Sequence, residues 1–331
     1  MRLGRLGILA TLAAAVPLLL VSGCGSTSTT PTAKHFTVGL LNGNNIDPYF
    51  LSIWKGALAQ ATADHVTLKE VAPATFDAEE QVPLFNDLIS EKVNAILLSA
   101  DGNLPPFLAG LKAAAAAKIP VIIINESEAD MSNTKYALSF ITSGNTDLGL
   151  AAGKAMVKLL GGKGTVGVID STPGLTSNLH RAAGFVTAAT QGGLATLPQQ
   201  FSHDSITTAD SIATDLLSSH PGLAGIFAVD SFTSQGVGTA VKALGKAGVV
   251  KVVGIDAEPQ EVALLKAGVM QALVAQKPYY VGQLAMKYAV DALTGKKSQI
   301  VRSVNPGDIV LTPSNISDPQ YANVPYSSTA P

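Results

Sequence analysis

The sequence predicts an α/β protein with two lobes, each a doubly wound parallel sheet. Short apolar runs rich in β-branched residues alternate with longer helical stretches, the pattern of βαβ units. Several runs, such as the Val-Ile-Ile-Ile of residues 121–124, are apolar at every position, as expected of strands covered by helices on both faces. Four such units precede about residue 140 and a similar series follows to about residue 256, which favours two sheets over one.

The strands and helices are set by apolar periodicity and by turn residues between the runs. We predict strands at residues 36–41, 66–72, 95–99, 121–125, 137–141, 165–170, 225–229, 252–256, 271–275 and 309–312. We predict helices at residues 48–63, 78–91, 104–117, 146–160, 178–190, 206–219, 234–244, 259–267 and 279–293. Glycines mark several helix ends, for example at residues 161–164.

The first residues have the pattern of an export signal followed by a lipidation site. Two arginines precede an apolar run at residues 8–21, which is shorter than the ~20 residues of a membrane-spanning helix. The run leads to a Val-Ser-Gly-Cys tetrapeptide that is similar to a bacterial lipobox and ends at Cys24, the single cysteine. We predict a signal peptide at 1–23, a lipidated tether at 24–35 and attachment to the outer face of a bacterial cell membrane. An ordinary cleaved signal is the alternative.

The composition and the missing motifs narrow the class of function. The chain carries 22 basic and 24 acidic residues, a balance that argues against nucleic-acid binding. The five histidines are scattered and form no metal-binding pair at helical spacing, so no metal or cofactor is expected. The sequence has no Gly-x-Ser-x-Gly elbow, and the glycines of residues 161–165 precede a strand instead of forming a phosphate loop. We therefore expect a protein that is not an enzyme.

Polar side chains that follow the predicted strands are the candidates for a binding site. Loops converge at the carboxyl ends of parallel strands, and helix N-termini offer free N–H groups there. Each such side chain is also a candidate helix cap or turn residue. They are Asn42, Asn45, Asp47, Asp101, Asn125, Glu126, Asp170, Asp230, Asp256 and Gln276. We interpret Asp101 and Asp170 as caps.

The chain resembles the periplasmic sugar-binding proteins of the ribose-binding type, the ligand-binding components of ABC importers. The resemblance spans about residues 36–321 and rests on segments in the family's order, at 38–41, 48–50, 56–57, 118–122, 181–185, 225–228, 253–256 and 311–315. It implies a two-lobed clamp that closes around its ligand, with crossovers near 139–142, 276–278 and 305–308. The implied lobes are residues 36–139 plus 277–305, and residues 140–276 plus 306–331.

The resemblance also implies which side chains touch the ligand. Tyr49 and Phe50 stand where family members pack aromatic rings on the apolar C–H face of a sugar. Asp256 stands where the family accepts hydrogen bonds from sugar hydroxyls, and Gln276 matches an amide at a crossover. The predicted ligand contacts are Asn45, Asp47, Tyr49, Phe50, Asn125, Glu126, Asp230, Phe232, Asp256 and Gln276.

Departures from the family pattern indicate the charge of the ligand. Glu126 and Leu179 replace two arginines, and Arg181 matches a third arginine that gives less indication of facing the ligand. His203 and Asp204 are weaker candidates on a loop near the cleft. The cleft thus gains carboxylates and loses guanidinium groups, and clustered carboxylates repel one another unless hydroxyls or a cation bridge them. The expected ligand is a neutral or amine-bearing sugar or polyol.

The sequence therefore predicts a monomeric solute-binding lipoprotein of an ABC importer, with a membrane permease as its partner. The alternative is a sensor that presents bound solute to a membrane receptor kinase, which would use the same cleft. A transcription regulator with this core is disfavoured because the tether occupies the place of a DNA-binding headpiece.

Overall fold

A computed structural model of the protein describes residues 35–74, 77–100, 104–126 and 134–331. The predicted signal peptide, Cys24 and Asp101 lie outside the described residues, as does nearly all of the tether. The described part contains two parallel sheets with helices packed on them, which confirms the predicted α/β class with two lobes. Within these ranges, no helix is long and apolar enough to span a bilayer.

The elements follow one another in the alternating order that the sequence predicts. The strands are β1 (Thr37–Leu41), β2 (Thr67–Val71), β3 (Ala95–Ser99), β4 (Val121–Ile124), β5 (Ser139–Ile141), β6 (Thr165–Asp170), β7 (Ala195–Thr196), β8 (Gln200–Phe201), β9 (Gly225–Ala228), β10 (Lys251–Ile255), β11 (Ala272–Ala275), β12 (Ser303–Val304) and β13 (Ile309–Leu311). The helices are α1 (Pro48–Ala63), α2 (Ala78–Ser90), α3 (Leu104–Ala116), α4 (Asn145–Leu160), α5 (Thr176–Gln191), α6 (Ile206–Ser219), α7 (Ser231–Ala243), α8 (Pro259–Lys266) and α9 (Pro278–Leu293).

The first sheet has the order β12-β5-β4-β3-β1-β2, with every strand parallel to its neighbours. Its central strands are buried on both faces, as the continuous apolar runs predicted. In β3, Ile96 and Leu98 pack in one hydrophobic cluster with Phe85. Ala95 and Leu97 belong to a second cluster. Successive side chains thus enter opposite helix layers, which follows from the two-residue period of a strand.

The second sheet has the order β13-β11-β10-β9-β6-β7, and β8 also pairs with β6. All these pairs are parallel except β13, which runs antiparallel to β11 with Ala275 opposite Ile309. Three strands were not predicted, namely β7, β8 and β12. Each has two residues, too few for a recognisable apolar pattern.

The start of α7 is the helix boundary that differs most from the sequence prediction, and the reason is local. Helix α7 begins at Ser231 instead of residue 234, because the Asp230 side chain accepts hydrogen bonds from Thr233 in a capping box. The Thr233 side chain in turn contacts the Asp230 backbone N–H. A cap of this kind satisfies the free N–H groups of the first turn and fixes where a helix starts.

The two sheets are built from discontinuous pieces of chain. The chain leaves the first sheet after Ile141 and returns to it for β12, then enters the second sheet again at β13. The boundary predicted between residues 139 and 140 falls inside β5, which lies wholly in the first sheet. Helix α9 packs on α1 so closely that a Cβ on Gly56 would lie 1.9 Å from the Tyr279 carbonyl oxygen.

Candidate functional site

The predicted polar residues meet at the carboxyl ends of the strands. Asp47 follows β1 in the first lobe and caps α1, with its Oδ1 accepting from the Tyr49 backbone N–H at 2.7 Å. Asp230, Asp256 and Gln276 follow β9, β10 and β11 in the second lobe. Because β9, β10 and β11 are neighbours in one sheet, their ends bring these three side chains to the same edge.

The Asp256 carboxylate contacts three different side chains. Its Oδ1 accepts hydrogen bonds from Gln276 Nε2 at 2.8 Å and from the Tyr326 hydroxyl at 3.0 Å. Its Oδ2 lies 3.8 Å from Nη1 of Arg181. The backbone of Asp256 has φ 88°, a left-handed conformation that Asp tolerates better than most residues. Three surrounding groups therefore fix the direction of one buried carboxylate.

The position of Arg181 shows that the predicted loss of guanidinium groups from the cleft is incomplete. Its side chain is buried, and Nε donates to Asn145 Oδ1 at 3.0 Å while Nη1 donates to the Val229 carbonyl at 3.3 Å. The cleft thus keeps one guanidinium group beside Asp256. The spacing of Asn178 and Arg181, three residues apart on the buried face of α5, is the sequence feature that indicates this buried position.

Asp230 combines a helix cap with a place in this polar network. Its Oδ1 accepts from the Thr233 backbone N–H at 3.0 Å and caps α7. Its Oδ2 accepts from Asn178 Nδ2 at 3.0 Å. The structure therefore confirms Asp230 as a helix cap, while its contact with ligand stays a prediction. Asp170, interpreted as a cap, instead accepts from the N–H of its neighbour Ser171 in a turn after β6.

The first lobe contributes aromatic rings. Tyr49 and Phe50 are almost fully buried, and their rings meet edge to face with centroids 5.3 Å apart. The Tyr49 ring also lies 5.7 Å from the ring of Tyr326. Phe50 covers Gly43, where an added Cβ would lie 2.1 Å from the ring. This close approach explains why a glycine stands in the loop after β1.

Other predicted contacts lie less deeply. Asn45 is exposed, and Phe232 on α7 is 42% exposed. Asn125 and Glu126 are half-buried, and the Asn125 carbonyl accepts from the Thr142 hydroxyl at 3.0 Å. The weaker candidates are also exposed; they are His203 and Asp204. A ligand contact remains a prediction for all of these residues.

The carboxyl groups of the two lobes influence one another. Burial, together with the charges of Asp256 and Asp230, raises the pKa of Asp47 to about 6, while the hydrogen bond from the Tyr49 N–H acts in the opposite direction. Burial, then the Asp47 charge, raises the pKa of Glu258 to about 8. Both shifts follow from the cost of burying a charge near like charges. Glu258, at the start of α8, was absent from the sequence candidates.

The pKa of Tyr49 in the first lobe is also shifted by the nearby carboxylates. Burial, and after it the Asp256 charge, hold the pKa of the Tyr49 hydroxyl well above its usual range, with a smaller contribution from Glu126. Despite the number of acidic groups, the described ranges contain no group of three or more His, Cys, Asp or Glu arranged to hold a metal ion. The arrangement offers hydrogen-bond acceptors beside aromatic rings.

Two sheets with a polar site at their strand ends define the class of two-lobed α/β binding proteins. The model of the periplasmic binding protein domain matches residues 38–297. The chain belongs to that family, which confirms the resemblance noted in the sequence. The relatives that it matches are binding proteins, and the chain likewise is not an enzyme.

Individual relatives cover most of the chain. It is 28% identical to the ribose import binding protein of Bacillus subtilis, over 80% of this chain and 84% of the relative. It is 29% identical to the D-allose-binding periplasmic protein of Escherichia coli, over 78% and 85%. An ABC transporter solute-binding protein of Agrobacterium vitis, solved with α-D-tagatopyranose, has a TM-score of 0.78 at 29% identity and covers 88% of this chain and 99% of its own.

Proposed function

We propose that the chain is an extracytoplasmic solute-binding protein of an ABC importer that holds a neutral or amine-bearing sugar or polyol between its lobes. The observation that carries the proposal is the Asp256 carboxylate, held by Gln276, Tyr326 and Arg181, with the Tyr326 ring 5.7 Å from the ring of Tyr49. Carboxylate oxygens accept from hydroxyl groups, and an aromatic face suits the C–H face of a sugar. The names of the relatives, which bind ribose or allose, support a small sugar.

The mechanism would be binding without covalent chemistry. The ligand's hydroxyl groups would donate to Asp256 and Asp230 in the second lobe while its apolar face lies on Tyr49. Closure of the first lobe would then exclude water, which strengthens each hydrogen bond. The closed form would dock on a membrane permease. No step transfers a proton or a group, so affinity and closure are the quantities to measure.

The charge of the site disfavours an anionic ligand. Asp47, Asp230 and Asp256 raise the pKa of Glu258, so all four groups act on one region. Arg181 supplies one positive charge beside them, and its nearest carboxylate is Asp256. A phosphate or carboxylate on the sugar would add negative charge to this region at a cost in binding.

A ligand panel tests the proposal. The chain from residue 35 onward would be titrated calorimetrically, and its Tm measured, with ribose, allose, tagatose, an amino sugar, a polyol, a sugar phosphate and a sugar acid. We expect saturable binding of at least one neutral or amine-bearing compound, with a rise in Tm because the ligand binds the folded state. Failure of the whole panel would contradict the function, and tight binding of the anionic compounds would contradict the charge argument.

The export signal and lipid anchor are part of the same proposal. The support is the sequence pattern before Cys24, and an anchor would keep a diffusing clamp near its permease. We expect Cys24→Ser to move the protein from the membrane fraction to the soluble fraction, while Ser26→Ala in the same segment leaves it in place. Unchanged membrane association of Cys24→Ser would contradict lipidation.

A further inference from the structure

A segment after the last strand contacts both lobes at the candidate site. Tyr326 N–H donates to the carbonyl of Ala257, in the loop after β10 of the second lobe, at 2.9 Å. The next residue, Ser327, donates its N–H to the hydroxyl of Ser52 on α1 of the first lobe at 2.6 Å. The side chain of Tyr326 is 4% exposed. The segment therefore carries one buried tyrosine to the place where the two lobes meet.

The Tyr326 hydroxyl bonds to two of the predicted ligand contacts. It accepts from the Gln276 backbone N–H at 3.1 Å and lies 3.0 Å from Asp256 Oδ1. A phenol has one proton, so an oxygen that accepts from an N–H has that proton free to donate to the carboxylate. Burial, and after it the Asp256 charge, hold the pKa of Tyr326 well above its usual range, which keeps the hydroxyl protonated.

The second carboxylate oxygen of Asp256, Oδ2, is the one that can accept a hydrogen bond from a ligand. Two donors, from Gln276 and Tyr326, already occupy Oδ1, while Oδ2 faces Arg181 at 3.8 Å, beyond a normal hydrogen bond. A ligand group that approaches this carboxylate meets acceptor lone pairs on Oδ2. It must itself be a donor, as a hydroxyl or ammonium group is.

We propose that Tyr326 is a positioning residue of the binding site, which holds the Asp256 carboxylate with Oδ2 turned toward a donor group of the ligand. The proposal rests on the proposed function, because it names a residue that acts through a predicted sugar contact. The backbone of Asp256 has φ 88°, a strained conformation that persists where surrounding contacts hold it. The Tyr326 hydrogen bond is one such contact, and it comes from outside the sheet that carries Asp256.

The test separates the hydroxyl from the ring. Tyr326→Phe keeps the packing against Tyr49 and removes the donor. We expect the Kd for the best sugar of the panel to rise about 10-fold, the usual effect of losing a hydrogen bond to a charged group. The matched control is Tyr321→Phe in the same segment, since the described residues include no hydrogen-bond partner for its side chain. Its Kd should stay within about twofold of the wild type.

A double-mutant cycle shows whether Tyr326 acts through Asp256. In an Asp256→Asn background, Tyr326→Phe should change Kd less than about twofold, because the carboxylate that it positions is gone. A merely structural role would give the same loss in both backgrounds. Equal losses, or a single-variant Kd within twofold of wild type, would overturn the proposal.

A crystal structure of the ligand-free Tyr326→Phe variant gives a readout that needs no sugar. We expect the Asp256 carboxylate to rotate away from Gln276 relative to ligand-free wild type. An unmoved carboxylate with its Gln276 hydrogen bond intact would overturn the positioning role. Absence of sugar binding by the wild type would instead reject the proposed function, so the two failures are distinguishable.

Discussion

The two lobes present different chemistry to the cleft. The first lobe brings the edge-to-face rings of Tyr49 and Phe50 together with Asp47, which caps α1, and its other polar candidates are exposed or half-buried. The second lobe brings buried polar groups that bond to one another, centred on Asp256 and Arg181. Buried, hydrogen-bonded charges resist reorientation, whereas an aromatic face accepts many ligands. The difference suggests that the second lobe sets specificity and the first adds apolar contact.

Helix packing also holds the polar side chains of the second lobe in place. Helices α4 and α5 of the second lobe cross so closely that a Cβ on Gly149 would lie 2.0 Å from the Arg181 carbonyl oxygen. The residue that faces Asp256 is thus held by a backbone contact as well as by its side chain. Close helix packing of this kind leaves little freedom for the side chains that depend on it. The polar half of the site is therefore built on a rigid crossing.

The largest effect is expected from Asp256→Asn. Asn keeps the shape and tolerates φ 88°, whereas Ala would add backbone strain at that position. The substitution removes the charge beside the buried Arg181, so we expect sugar binding to weaken about 100-fold by calorimetry. The control is Asp291→Asn, another buried aspartate, paired with Lys287 on α9. A Kd for Asp256→Asn within about threefold of wild type would contradict the inference that the second lobe sets specificity.

A smaller effect is expected from Phe50→Ala in the first lobe. Loss of the ring that supports Tyr49 should weaken binding about 10-fold. The change also removes a buried ring, so both it and the control Phe107→Ala on α3 should lower stability by ~3–5 kcal/mol. Chemical denaturation measures the stability of both variants, and calorimetry at a temperature where both are folded measures Kd. Equal affinity losses in the two variants would mean that the ring acts through stability.

The smallest expected effect is the pH dependence of stability that follows from the raised pKa values of Glu258 and Asp47. The pKa of Glu258, raised to about 8 by burial and then by Asp47, and that of Asp47, raised to about 6, mean that the folded chain keeps protons that the unfolded chain has released. The folded state then binds more protons between about pH 4.5 and pH 8, so stability falls as pH rises through that window.

Thermal unfolding across the window measures this slope. We expect Tm to fall by several degrees from about pH 5 to about pH 8, and Glu258→Gln to flatten part of that fall because an amide does not titrate. The control Glu79→Gln changes an exposed residue on α2 and should keep the wild-type slope. A slope that Glu258→Gln leaves unchanged would exclude this group as its source.

The sequence predicted the sheets better than the site, for physical reasons. Apolar periodicity is local, so every described strand longer than two residues was predicted within two residues at each end. Asp256 and Gln276 could be predicted because strand ends of one sheet must meet. Tyr326 could not, because it bonds to Asp256 across 70 residues from a segment without periodicity. Arg181 was undervalued because its direction depends on how α5 packs on α4.

The late position of β12 has a consequence for how the chain folds. The first sheet gains this edge strand, and α1 gains α9, only after β6 to β11 of the second sheet have been made. Pairing Ser303 with Phe140 closes a long loop, which costs entropy and slows formation. The second sheet gains its own edge strand, β13, later still, when Ile309 pairs with Ala275. In a chain that emerges amino end first, we therefore expect the central strands of each lobe to assemble from continuous stretches, while both lobes reach their final packing only after residues 303–311 have been made.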